Sequence, residues 1–204
     1  DPPPDQNGGG PPDPPPLPEN VPVLENAQLA MLVFILAEIM FFSGIIGAFL
    51  VFRFSGQPWP PPFQPRLPVA VTSLNTIFLL ASSFTFTQAS RWLRRGDTGR
   101  LCSYLTATCA LGLLFLLIQG YEWIQLLSFG LRLSSGGYAS TFYTIIGAHA
   151  LHVFWAAVWL AVVLIRARRG HYSPENRTGV TTCGMYWHFV VGLWPVLFFL
   201  VYLM

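Results

Sequence analysis

The chain reads as an all-α membrane protein, a bundle of five transmembrane helices, and three observations carry that reading. Of its 204 residues 53% are hydrophobic and only 10% are charged, where a soluble domain carries about a quarter charged residues. Its mean hydropathy is +0.51. The apolar residues fall into five long runs separated by short segments rich in Pro, Gly and Arg. Water is therefore not the main solvent of this chain.

Residues 1–25, DPPPDQNGGGPPDPPPLPENVPVLE, precede the runs and hold too little apolar surface to bury a core, so an extended or disordered acidic tail is expected. Nothing in it has the form of a signal peptide. The first run covers about 28–52, enough at 1.5 Å per residue to cross the ~30 Å hydrocarbon layer. SGQPWPPPFQPRLP breaks it with prolines. The second run covers about 69–92 and ends in the turn RRGDTGR. The third extends over about 101–129, before the Gly/Ser-rich LRLSSGGYAS. The fourth covers about 141–165, closing on RARRGHYSPENRTG, and the fifth about 185–204. Residues 26–204 thus form one membrane domain.

Charge sets the expected orientation. All 11 basic residues are arginine, against 9 acids. Arg91, Arg94, Arg95, Arg100, Arg166, Arg168, Arg169 and Arg177 fall on the side of the N-terminal tail, whereas Arg53, Arg66 and Arg132 fall on the other. Positive residues stay inside, so the N-terminus is expected in the cytoplasm and the C-terminus in the periplasm. Trp92 and Trp187 are then expected near the inner interface, Trp59 and Trp123 near the outer one. A net charge of +2, dispersed along the chain, excludes a nucleic-acid partner. Cys102, Cys109 and Cys183 lack metal-binding spacing and read as small core residues.

Polar residues inside the spans are costly in lipid and define the candidate sites. Glu38 lies in the middle of the first run, beside a strip of small residues (Ser43, Gly44, Gly47, Ala48) suited to close helix approach. It is either a hydrogen-bond anchor between helices or a proton-handling group. His149 and His152 share a face of the fourth helix. Satisfied helix–helix hydrogen bonds are the plain reading; ligation of a b-type haem, with His188 on the fifth helix as the opposed ligand, is the rival. That rival is a different class of protein, a small membrane cytochrome b. Against it, a spacing of three suits a flat macrocycle poorly, and Trp155 fills the adjoining space. Copper lacks a soft ligand cluster.

Depth from the outer ends puts Glu38 at about 21 Å, His152 at about 17 Å and His149 at about 12 Å, which selects His152 as the partner of Glu38. On the third helix Gln119 and Glu122 share a face, and Glu122 is expected to pair with Arg132. Asn75 is expected to cap or cross-link helices. No phosphate loop, activated nucleophile or metal motif is present in the sequence, so no catalysis by this chain itself is expected.

Five segments together resemble a known family. FILAEIMFFSGIIGAF, PVAVTSLNTIFLLASSFTFTQA, IQGYEW, YASTFYTIIGAHALHVFWA and CGMYWHFVVGLW are similar, in order, to the motifs of subunit III of the haem–copper oxidases. The resemblance implies a short, five-helix bacterial form lacking the first two helices of seven-helix members, set in the bacterial plasma membrane. It implies a subunit without metal or redox chemistry, holding no cofactor of its own. Haem and copper are expected in partner subunits, and bound phospholipid on this chain. The expected partners are subunit I, subunit II, further respiratory subunits and membrane lipid. The implied roles are support of proton uptake and of enzyme durability in a cytochrome c oxidase that reduces dioxygen and pumps protons. A quinol oxidase or the accessory protein of nitric oxide reductase are alternatives. Glu38 would be the carboxylate that reacts with hydrophobic carbodiimides, and His149, His152, Glu122, Asn75 and His188 match other polar motif positions. The sequence departs from the pattern at Val191, where an acid is usual, and at Ser90 and Arg91, which replace a His-His pair. The lipid cleft of the longer form depends on the missing helices and does not transfer.

Overall fold

A computed structural model describes residues 26–55, 69–128 and 137–204, the side chains of the last stretch from residue 139. The tail at 1–25 and the segments holding Trp59, Arg66 and Arg132 lie outside the described residues. Five helices follow in order: α1 (Asn26–Arg53), α2 (Val69–Arg94), α3 (Thr98–Ser128), α4 (Gly137–Arg168) and α5 (Thr178–Phe198), the last running into a π-helical turn at Phe199–Leu203. All five are long and apolar enough to cross a membrane, and the described residues contain no strand.

Successive helices alternate in direction, and two arginines fasten the opposite ends. Arg168 at the end of α4 donates to Thr106 Oγ1 near the start of α3 (3.1 Å). At the other end Arg53, closing α1, donates to the carbonyl of Met204. The α2–α3 turn folds tightly because Gly96 supplies a φ of +75°, a region that side-chain-bearing residues avoid. Asp97 then caps α3, accepting from the Arg100 backbone N–H (2.9 Å).

The core lies among α2 to α5 and depends on close approach. A Cβ on Gly112 of α3 would come within 2.6 Å of the Trp187 ring, and one on Gly184 of α5 within 2.6 Å of Phe86. Each glycine leaves the space into which an aromatic ring from the neighbouring helix enters. Trp187 is consequently a core residue, 1% exposed, with its indole N–H bonded to Ser82 Oγ (3.2 Å). The expectation placed it by depth near the inner interface; the structure adds that its ring is enclosed by other helices. Trp92 does meet the charged turn, with Arg100 and Arg95 stacked on its ring at 4.0 and 4.8 Å.

Helix α5 begins seven residues earlier than expected. The polar stretch TGVTTCG masks its helicity, but its hydroxyls turn back onto the backbone: Thr182 donates to the Thr178 carbonyl (2.9 Å) and Thr181 to that of Arg177 (3.1 Å). Near its other end Pro195 lies inside the helix, where its missing N–H weakens the ladder. The π turn follows within one further helical turn.

Helix α1 stands apart. It is the most apolar of the spans by hydropathy, yet Phe42 and Phe49 are its only buried residues. The strip Ser43, Gly44, Gly47 and Ala48 faces outward, and a Cβ on Gly44 or Gly47 would meet nothing within 4 Å. The close helix approach expected there is not made by the described residues of this chain.

Candidate functional site

Two carboxylates lie inside the bundle in different surroundings. Helix α1 turns Glu38 toward α4 because Phe42, one turn later, wedges against that helix; its ring meets His152 edge-on at 5.0 Å and His149 at 6.4 Å. Glu38 Oε2 then lies 3.0 Å from His152 Nε2, with side-chain exposures of 14% and 19%. The contact is at pairing distance but off-line: Oε2 makes no directed hydrogen bond among the described residues.

The other nitrogen of His152 is committed to its own helix. Nδ1 lies 2.6 Å from the Ala148 carbonyl oxygen. A carbonyl only accepts, so Nδ1 carries a hydrogen. Nε2 is left as the nitrogen that faces Glu38.

His149 is not in this contact. It is 1% exposed, stacked on Trp194 (5.1 Å, 24° between planes), and neither nitrogen has a hydrogen-bond partner among the described residues. The satisfied helix–helix hydrogen bonds expected of the histidine pair are therefore absent from His149; ring packing holds it instead. His188 is on another face of the bundle, with Nδ1 2.6 Å from Ser83 Oγ and its ring edge-on to Phe86. His149 is enclosed by α1 and α5 aromatics and His188 by α2, so the two do not face one another as axial ligands would. Trp155, expected to fill the space beside the pair, is 59% exposed and packs on Phe154. Among the described residues no group of three or more His, Cys, Asp or Glu side chains is placed to hold a metal ion.

Glu122 is 3% exposed and fully engaged. Thr72 Oγ1 of α2 donates to its two oxygens (3.1 and 3.0 Å), and Gln119 Nε2, one turn back on α3, donates to Oε2 (3.1 Å). Gln119 also reaches Tyr202 Oη at 3.4 Å. The carboxylate expected to pair with Arg132, which lies outside the described residues, thus ties α2 to α3 and, through Gln119, to the last turn of the chain. Asn75 adds a second tie, its Nδ2 donating to the Phe115 carbonyl (3.1 Å).

The hydroxyls of α2 were the residues that motif reading passed over. Thr76 accepts from the Trp194 indole (2.8 Å), Ser82 from that of Trp187, and Thr85 contacts Thr108 Oγ1 at 2.8 Å. The signal was available as a density of Ser and Thr in a span where lipid-facing positions would be Leu or Val.

These features define a class: a polytopic helical membrane protein whose intramembrane polar groups bond internally. Comparison with known proteins gives the family. The model of "Cytochrome c oxidase subunit III" matches residues 19–204. A cytochrome c oxidase subunit 3 of Synechocystis is 37% identical over 85% of this chain and 74% of its own length. That of Thermostichus vulcanus is 35% identical over 86% of each, and that of Sus scrofa 34% identical over 88% of this chain and 70% of its own. The chain belongs to the cytochrome c oxidase subunit III family, and this membership implies a place in a cytochrome oxidase complex.

Proposed function

We propose that the chain is the non-catalytic subunit III of a bacterial terminal oxidase that reduces dioxygen with electrons from cytochrome c and pumps protons. It packs on subunit I in the plasma membrane, with its arginine-rich face in the cytoplasm, binds lipid, and supports proton uptake and the durability of the enzyme. The observation that carries the reading is the outward strip of α1. Small residues that no helix of this chain covers are the surface on which a helix of another subunit packs, since in lipid close backbone approach rather than hydrophobicity drives association. Glu38 lies on the same helix and, paired with His152 of α4, offers a polar group that could hold a proton next to that surface.

The test is purification from the native membrane with a tag on this chain. Haem- and copper-containing partners that oxidise reduced cytochrome c are expected to come with it, and stripping the chain away is expected to reduce the number of turnovers before inactivation. Oxidation of a quinol alone would change the donor. Recovery of the chain without any haem protein would refute the reading.

A further inference from the structure

A groove between α2 and α5, on the arginine-rich face, is unrelated to either carboxylate. It encloses about 260 Å³ and is lined by Thr87, Ser90, Arg94, Arg177, Thr181 and His188, among others. From these residues we infer that the groove binds a phosphate group. Arg94 is in the last turn of α2, and Arg177 is the residue just before α5, where it makes no side-chain cap. Neither guanidinium makes a hydrogen bond or ion pair within the described residues, although other arginines of this face do: Arg100 pairs with Asp97 and Arg168 bonds to Thr106. No carboxylate lines the groove.

Arg94 and Arg177 line one concavity whose described lining residues include no carboxylate, so an anion held there would meet two positive side chains and no negative one. The planar guanidinium fork matches phosphate oxygens in pairs. Ser90, one turn inward from Arg94, adds a hydroxyl donor, whereas Thr87 and Thr181 have their hydroxyl hydrogens on backbone carbonyls. The first turn of α5, free of acidic residues, places the positive end of its dipole at the same mouth. A volume below the ~300–1,000 Å³ of pockets for drug-sized ligands fits a phosphate and its nearest atoms rather than a whole nucleotide. Two sources present that chemistry at a membrane surface, a phospholipid headgroup and free phosphate. The inference does not depend on which complex holds the chain.

The test uses the assembled complex in detergent, titrated at fixed ionic strength with phosphatidylglycerol in mixed micelles and, separately, with inorganic phosphate. One saturable equivalent is expected that weakens by about tenfold or more when Arg94→Gln and Arg177→Gln are combined. Arg169→Gln, on the same face but outside the groove, is expected to leave it unchanged. Binding of the lipid that phosphate does not displace assigns the headgroup; binding of phosphate itself, or displacement of lipid by it, assigns the soluble anion. If neither binds saturably, or if Arg169→Gln weakens binding as much as the double variant, the inference is overturned.

Discussion

Glu122 and Glu38 are both carboxyl groups in membrane-spanning helices, but they are held in opposite ways. Glu122 accepts from two donors on two helices, the Thr72 hydroxyl lying within reach of both its oxygens, in the best-packed part of the bundle. Glu38 has one off-line contact, on the helix that the rest of the chain covers least. A fully satisfied acid is an anchor, because any change of its proton or position breaks bonds already made. An acid with one partner can change position or partner at the loss of a single contact. Burial inside a membrane therefore does not assign a role by itself; the number of partners does.

The largest effect is expected at the anchor. Glu122→Leu removes the acceptor that Thr72 Oγ1 and Gln119 Nε2 share in the core and is expected to cost on the order of 2–5 kcal/mol. The measurement is thermal release of the subunit from the complex. A loss below about 1 kcal/mol would place Glu122 with Glu38 rather than opposite it. Next come Glu38→Leu and His152→Leu, expected to cost about 1–3 kcal/mol each as the remaining group loses its partner. A loss of about 3–5 kcal/mol would instead reveal a buried ion pair whose remaining charge is uncompensated. Glu38→Gln keeps a hydrogen-bonding group toward His152 Nε2 and is expected to preserve assembly. The smallest effect is expected at His149. Replacing it by Phe keeps the stack on Trp194 and removes two nitrogens without hydrogen-bond partners among the described residues, so stability should hold or rise by up to about 1 kcal/mol. A marked loss would show that those nitrogens have a partner in the assembled complex.

Much of this contrast was legible in the sequence, and for identifiable reasons. Five apolar runs gave five helices, since hydrocarbon leaves a segment no other way to satisfy its backbone. Counting residues along the first and fourth runs selected His152 rather than His149 as the residue facing Glu38, because helical rise converts position into depth. What stayed hidden depended on rotation about the helix axes, which depth does not give. Trp187 was placed near the interface by depth, which does not show that a glycine on α3 admits its ring to the core. Thr72 was read only as part of a motif string, although it holds Glu122. The early start of α5 was masked by threonines that satisfy themselves on their own backbone. The outward face of α1 could not be read from its small residues, which suit close packing whichever way they point.

The central claim is that Glu38 pairs with His152 Nε2, with His152 Nδ1 committed to the Ala148 carbonyl. Solid-state 15N NMR of the assembled complex with labelled histidine, assigned by a His152→Gln control, tests it most directly. The account predicts a protonated Nδ1 on His152 and an Nε2 signal that shifts when Glu38 is changed to Gln, while the His149 signals stay in place. A bare Nδ1 on His152, or an Nε2 indifferent to Glu38→Gln, would contradict it.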